Sequence, residues 1–297
     1  MKPEFISYPI HISSYPALLL IGFFFGYLLA RKRALRAGLA GRHIDNIVLL
    51  LVVAGPFGAR LFSRLFEMHL GFWEALKVLN GGGLVFYGGF IVSILTVILY
   101  ALIVRLPLLT LCDVAAPSAA LGLAFGRIGC FMAGCCWGDV CVDSARIAQI
   151  SDPAAAYQVW TVPILSGPRV PFAVTFPKES DIYEQHQKLG LIKSDSPRSL
   201  PVHPAQLYES AMAFLLCWLL ARKKSVRPGQ VALGLLLGYA VIRFSVEFLR
   251  ADNSPVYWGM TLSQVISILM AIMCAILIVA RKAGRDEATV PVLAASG

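Results

Sequence analysis

Three polar side chains recur at every fourth residue of one apolar stretch and could hold an anion there. Tyr239, Arg243 and Glu247 lie in GYAVIRFSVEFLR, and this spacing places them on one face of a helix. An ionisable side chain at a bilayer centre costs at least about 2.5 kcal/mol, so it needs a polar partner or a water-filled cavity. One interpretation is an Arg243–Glu247 ion pair that only neutralises itself. In the other, Glu247 orients Arg243 toward a ligand and Tyr239 donates a hydrogen bond beside it.

A second arginine, Arg127, lies in the glycine-rich stretch GRIGCFMAGCCWG, residues 126–138. Glycine allows a ligand to approach the backbone closely. A guanidinium stays charged in apolar surroundings and forks onto phosphate oxygens. Arg127 and Arg243 together predict one anionic lipid phosphate held between helices.

Four cysteines cluster in the same region with the spacing C-x4-C-C-x4-C: Cys130, Cys135, Cys136 and Cys141. A disulfide from Cys135 or Cys136 to Cys141 would brace an outer, more oxidising face. Buried free thiols could instead fill space between helices. A metal or redox centre is the third interpretation. Because the spacing matches no common zinc pattern and no histidine lies close in sequence, we predict no metal ligands here.

Two further stretches place polar groups beside apolar runs. In GGGLVFYGGF, residues 81–90, five glycines flank Tyr87, and such irregular backbone is tolerated in a membrane where it lines a cavity. In PVHPAQLYES, His203 lies between two prolines, and Gln206 and Glu209 enter the next helix. A histidine at a membrane interface is more often structural than catalytic, so both roles stay open for His203.

The composition is that of a membrane protein. Of 297 residues, 58% are hydrophobic and 14% are charged, and the mean hydropathy is +0.71. Soluble domains carry nearer a quarter charged residues. The net charge of +9 could indicate nucleic-acid binding, but the basic residues fall mostly in short clusters beside apolar runs. That pattern is typical of topology signals, so we predict a lipid-bilayer environment and no nucleic-acid partner.

Seven apolar runs are long enough to span a bilayer. They cover residues 15–31, 46–66, 84–104, 107–137, 205–222, 229–250 and 259–280. Basic residues follow the first, third, fifth and last runs, which predicts an outside N-terminus and a cytoplasmic C-terminus. The polar stretch between the fourth and fifth runs predicts an outer cap, with a short strand in RVPFAVTFP and a short helix in DIYEQHQKLGLI.

The predicted fold is therefore an all-α polytopic membrane protein with about seven transmembrane helices and a small exoplasmic cap. Four spans occupy residues 1–137 and the cap occupies 138–204. Three spans follow in 205–282, and residues 283–297 form a cytoplasmic tail.

These motifs resemble the bacterial prolipoprotein diacylglyceryl transferase family. The family signature, G-R-x-G-N-F-x-N-x-E-x-x-G, is kept here at Gly126, Arg127, Gly129, Phe131 and Gly138. Further matches occur in the family's order: SYPALLLIG with Tyr15, GARL with Arg60, GGLVFYGG, CDVAAP, HPAQLYE, GYAVIRFSVEFLR and GMTLSQVIS. The similarity covers about residues 14–280 and includes the cap only weakly.

The resemblance implies an enzyme of the bacterial inner membrane. Such an enzyme transfers the diacylglyceryl group of phosphatidylglycerol to the lipobox cysteine thiol of a prolipoprotein, and glycerol phosphate leaves. Its partners are phosphatidylglycerol, prolipoprotein signal peptides and the bilayer, and we expect no cofactor. The resemblance implies these catalytic residues: Arg127, Arg243, Tyr87 and His203. It implies these substrate-binding residues: Tyr15, Arg60, Gly126, Gly129, Gly138, Tyr239 and Glu247.

The sequence departs from the family at positions that matter for chemistry. The two signature asparagines are Cys130 and Ala133, and the signature glutamate is Cys135. The histidine often found in the third-span motif is Tyr87, and a tyrosine with a pKa near 10 is a poor base at neutral pH. Two alternatives follow. One is a related lipid transferase with a different acceptor. The other is a membrane thiol–disulfide oxidoreductase, which would explain the cysteines but not the two arginines.

Overall fold

The structure is a computed structural model that describes residues 4–6, 12–69, 72–75, 85–141, 172–178, 180–223, 227–250 and 259–288. The first glycines of GGGLVFYGGF, the first half of the predicted cap and the end of the predicted tail lie outside these residues.

Helices dominate the described residues. They are α1 (Ser14–Arg36), α2 (Gly41–Phe62), α3 (Phe72–Ala75), α4 (Phe86–Ile103), α5 (Leu108–Ala133), α6 (Asp181–Lys188), α7 (Ala205–Arg222), α8 (Gln230–Glu247) and α9 (Leu262–Ala288). A π-helical turn, Ser63–Glu67, directly follows α2. Near the N-terminus, the short strands β1 (Glu4–Ile6) and β2 (Ile12–Ser13) pair antiparallel.

Five helical segments in the described part of the chain are long and apolar enough to cross a membrane. They are Gly41–Phe66, Phe86–Ile103, Leu108–Ala133, Gln230–Glu247 and Leu262–Ala280. Many of their large apolar side chains point outward, as helices that face lipid require. The predicted helical membrane fold is thus confirmed. α1 and α7 coincide with the other two predicted spans but are not among these five, so the total of seven remains a prediction.

The chain divides into two compact units. One comprises Met1–Phe23, Ala119–Lys224 and Leu233–Gly297, and the other comprises Phe24–Ser118 and Ser225–Ala232. In the second unit α2 and α4 approach closely, since a Cβ added at Gly58 would lie 2.6 Å from the Gly88 carbonyl oxygen. Small residues allow this kind of contact between membrane helices.

Asp113 shows how an acidic residue inside an apolar run is satisfied. It lies in α5, is buried, and its carboxylate accepts hydrogen bonds from the backbone N–H groups of Gly229, Val231 and Ala232 at 2.8–2.9 Å. These donors begin α8, where the helix dipole also favours a negative charge. Asp113 therefore stabilises a helix N-terminus.

The described part of the predicted cap has a small core of its own. Its buried members are Trp137, Val140, Phe176, Ile182, Leu191, Leu200 and Val202. The predicted short helix is present as α6, whereas the described residues of RVPFAVTFP form isolated bridges such as Val174 with Val202. His186 of α6 accepts a hydrogen bond from the Leu200 N–H, and burial lowers the pKa of this histidine to about 4. At the other end of the chain, α9 continues to Ala288, so the predicted tail begins as helix.

Candidate functional site

The first arginine of the candidate site is held within α8. Arg243 Nη2 lies 2.9 Å from Glu247 Oε2 and donates to Ser263 Oγ of α9 at 2.9 Å. The two charged side chains are 14% and 0% exposed. Thr261 Oγ1 in turn donates to Glu247 Oε1 at 2.7 Å. The predicted ion pair is therefore present, and its carboxylate is fixed from two sides.

Arg243 still has a donor group to offer. Its Nη1 atom is buried and makes no hydrogen bond within the described residues. A guanidinium carries five N–H donors, and leaving buried charged donors unsatisfied is costly. A phosphate oxygen beside Nη1 would satisfy them. This geometry favours the interpretation in which Glu247 orients Arg243 toward a ligand.

The second arginine is held between two helices. Arg127 Nε of α5 lies 3.0 Å from Glu209 Oε1 of α7, and the side chains are 17% and 3% exposed. From the sequence, Glu209 is predicted only as a polar neighbour of His203, so its role as the partner of Arg127 is missed. The signal was present: Glu209 enters an apolar helix with no arginine or lysine within four residues, so its partner had to come from another element.

Two tyrosines lie near Arg127. An added Cβ at Gly129 would lie 2.8 Å from Tyr15 Cδ2, so the absence of a side chain at Gly129 is what lets Tyr15 pack there. Tyr15 and Tyr239 both interact electrostatically with Arg127. Because Tyr239 lies one turn before Arg243, the polar face of α8 and the Arg127 region of α5 belong to one neighbourhood.

The other two predicted glycines differ in their surroundings. A Cβ at Gly138 would lie 2.6 Å from the Leu249 carbonyl oxygen and 2.7 Å from His203 Cβ, so packing requires glycine. Among the described residues, a Cβ at Gly126 would meet only Leu19 Cδ2, at an ordinary 3.7 Å. Packing within the described part of the chain therefore gives no reason for glycine at Gly126, and close approach of a lipid remains a prediction there.

His203 lies in the connection that leads into α7. It is buried, its N–H donates to the Asp139 carbonyl at 3.0 Å, and its own carbonyl accepts from the Gly138 N–H at 2.9 Å. The ring centroid lies 6.3 Å from that of Tyr208. These contacts give His203 a structural role, and its catalytic role stays a prediction.

Arg60 and Tyr87 belong to the second unit. Arg60 is half-buried near the end of α2. Tyr87 lies in the first turn of α4 and is 72% exposed, with its ring 6.0 Å from Phe86. The geometry does not favour Tyr87 over His203 as a base, and both Arg60 and Tyr87 remain predictions from the resemblance.

The four cysteines of the C-x4-C-C-x4-C stretch form a cluster of three and one separate residue. The Sγ atoms of Cys130, Cys135 and Cys136 all lie within 4.8 Å of one another, and all three residues are half-buried. Cys141 is a separate buried thiol whose pKa is raised to about 11 by burial and by the nearby Asp139. All four are free thiols in this structure, which does not support the disulfide interpretation.

Comparison with known proteins agrees with the motifs. The model of the prolipoprotein diacylglyceryl transferase family matches residues 3–280. A phosphatidylglycerol–prolipoprotein diacylglyceryl transferase of Clostridium tetani is 28% identical over 92% of this chain and 95% of its own length. Proteins of the same name from Xanthomonas oryzae pv. oryzae and Ralstonia pickettii are 29% and 30% identical, over 93% and 81% of this chain and 89% and 77% of their own lengths. These bacterial relatives and the apolar helices indicate a multi-pass inner-membrane protein. The chain belongs to the prolipoprotein diacylglyceryl transferase family.

Proposed function

We propose that this chain transfers the diacylglyceryl group of phosphatidylglycerol to the lipobox cysteine thiol of prolipoproteins, the first step of bacterial lipoprotein maturation. Family membership and the names of the relatives support this transferase activity. One structural observation supports assigning this activity to particular residues. Both arginines, Arg127 and Arg243, are mostly buried, and each is paired with a nearly inaccessible carboxylate.

The arginines act on the phosphate. The thiol sulfur attacks a glycerol carbon, the carbon–oxygen bond to phosphate breaks, and negative charge grows on the departing glycerol phosphate. Donors already fixed where charge develops stabilise a transition state without reorganising. Glu247 and Glu209 hold one edge of Arg243 and Arg127, so their other N–H groups can meet phosphate oxygens.

The remaining residues support this clamp. Tyr239 and Tyr15 lie near Arg127 and can donate hydrogen bonds to the lipid headgroup. Gly126 offers room for the lipid to approach α5. From the resemblance we propose that the following residues complete binding and catalysis: Arg60, Tyr87, Gly129, Gly138 and His203.

The test is transfer of labelled diacylglyceryl from phosphatidylglycerol to a lipobox peptide by detergent-solubilised protein. We expect transfer with phosphatidylglycerol and a cysteine peptide, and none with a serine peptide. Folded protein that fails with every lipobox peptide but modifies another acceptor would establish the related lipid transferase instead. Rapid reversible cycling of a cysteine pair without transfer would establish the oxidoreductase.

The proposal includes the finer topology of seven spans, an outer cap and a cytoplasmic C-terminus. The phosphate site then faces the compartment into which prolipoprotein cysteines are delivered. Reporter fusions after residues 40, 105, 225 and 290 are expected to be cytoplasmic, and fusions within 145–200 exoplasmic. A cytoplasmic reporter within 145–200 would place the site on the wrong leaflet.

A further inference from the structure

The three clustered thiols are brought together by the way α5 ends. Cys130 lies in the last turn of α5, and the N–H groups of Gly134 and Cys135 both donate to its carbonyl, at 3.0 and 3.1 Å. Gly134 has φ +77°, and Cys136 has φ +60° although it is not glycine. A bulky residue in that region is uncommon and costs energy. Sequence spacing alone conceals this cluster, because the chain reverses within it.

The cluster has the dimensions of a zinc site. Zinc–thiolate bonds of about 2.3 Å in a tetrahedron put sulfur atoms about 3.8 Å apart. Sulfur atoms within 4.8 Å of one another reach that geometry by small side-chain movements. Three protein ligands and one open position are the arrangement of catalytic zinc sites. All three cysteines are half-buried, so the cluster is not sealed inside the protein.

The surrounding charges also fit. Three thiolates around one divalent cation carry a net negative charge, which needs positive neighbours. Arg127 precedes Cys130 by three residues on the same helix, so the two side chains share a face. Arg250 also lies close to the cluster in the chain's folded path, because its backbone forms a bridge with Gly138, two residues after Cys136. The cluster is therefore adjacent to the arginine proposed to bind phosphate.

We propose that Cys130, Cys135 and Cys136 bind one zinc ion, whose open fourth position takes the acceptor cysteine as a thiolate ready for alkylation. This inference rests on the proposed function. It accounts for the cysteines that stand where the family signature has asparagine and glutamate. It also supplies an activated nucleophile, because a thiol that coordinates a divalent metal is deprotonated outright.

Alkylation of the acceptor thiol involves no change in oxidation state. On coordination, the acceptor S–H loses its proton to water. The zinc-bound sulfur then forms a bond to the glycerol carbon, while the carbon–oxygen bond breaks and its electron pair stays on the phosphate oxygen. Glycerol phosphate takes up a proton from water as it leaves. The product is a neutral thioether, which ligates zinc more weakly than a thiolate and can depart.

The first experiment measures metal binding on the full chain in detergent. We expect about one zinc per chain, because the three clustered cysteines form a single ligand set with one open position. Replacing it with Co²⁺ is expected to give sulfur-to-cobalt charge-transfer absorption. Cys136→Ser is expected to weaken metal binding by more than about a hundredfold, since even changing a residue that supports a metal ligand costs about 10- to 100-fold. Cys112→Ser is the matched control, because Cys112 is an exposed cysteine of the same helix.

The second experiment separates this inference from the proposed function. A lipobox cysteine peptide is expected to change the cobalt spectrum of wild-type protein, and a serine peptide is not. A chelator is expected to abolish transfer and Zn²⁺ to restore it. Protein that transfers diacylglyceryl equally well without metal overturns the zinc inference and leaves the function standing. Protein that binds zinc and the peptide thiol but never uses phosphatidylglycerol overturns the function. Absence of cobalt–sulfur absorption in folded wild-type protein overturns the metal site itself.

Discussion

Arg243 and Arg127 are paired with carboxylates at similar distances, 2.9 and 3.0 Å, but the pairs are built differently. Arg243 and Glu247 lie four residues apart on α8, and Ser263 and Thr261 add hydrogen bonds from outside that helix. Arg127 and Glu209 come from α5 and α7, which are separated by the cap sequence. One pair is local, and the other forms only when two helices pack. Both arginines are thus oriented by a carboxylate, but only the Arg127–Glu209 pair also links two helices, so only that pair is expected to stabilise their packing.

The largest expected effect comes from changing the guanidinium itself. Arg243→Lys and Arg127→Lys are each expected to lower transfer by about a hundred- to a thousandfold, nearly as much as alanine, because an ammonium keeps charge but loses the fork. The measurement is transfer from phosphatidylglycerol to a lipobox peptide, with folding checked separately.

A matched control comes from an exposed pair with the same geometry. Arg31 Nε lies 3.0 Å from Asp45 Oδ1, but these side chains are 45% and 39% exposed. Arg31→Lys is expected to leave transfer unchanged. Near wild-type transfer by Arg243→Lys would show that charge alone suffices and that no forked phosphate contact exists there.

Removing each pair completely tests whether it is only structural. Arg243→Leu with Glu247→Leu, and Arg127→Leu with Glu209→Leu, are expected to fold, because buried ion pairs can often be replaced by apolar residues. Both double variants are expected to be inactive, since the phosphate ligands are gone. A folded and active double variant would reduce its pair to a structural bridge.

Removing the charge of each carboxylate tests whether the two ion pairs contribute differently to activity and stability. Glu247→Gln is expected to lower transfer by about tenfold, because Arg243 keeps Ser263 and the amide oxygen can still accept. Glu209→Gln is expected to do more harm, and also to lower the unfolding temperature, because it weakens a link between α5 and α7. Thermal unfolding and transfer rates on the same preparations decide this. Equal decreases in the unfolding temperature for Glu247→Gln and Glu209→Gln would contradict the distinction between a pair within one helix and a pair between two helices.

The smallest expected effects concern the glycines beside Arg127. Gly129→Ala is expected to lower both stability and transfer several-fold, because the added methyl group meets Tyr15 at 2.8 Å. Gly126→Ala has room within the protein, so its unfolding temperature is expected to stay unchanged while the KM for phosphatidylglycerol rises. An unchanged KM would remove Gly126 from the lipid site.

The sequence by itself determined the membrane class, the order of the helices and the local pair. Mean hydropathy and long apolar runs require helices in lipid, because backbone groups there must be satisfied internally. The four-residue spacing of Arg243 and Glu247 fixes their common helical face, whatever surrounds it. The family motifs likewise identify both arginines.

Only the tertiary structure decided how the distant groups meet. Glu209 became the partner of Arg127 because α5 and α7 pack together, and Asp113 became the cap of α8 because its buried carboxylate meets the first N–H groups of that helix. The thiols of Cys130, Cys135 and Cys136 converge because the backbone reverses through positive φ angles after α5. Sequence spacing measures distance along a helix or strand, and it loses that meaning where the chain turns or where two elements meet.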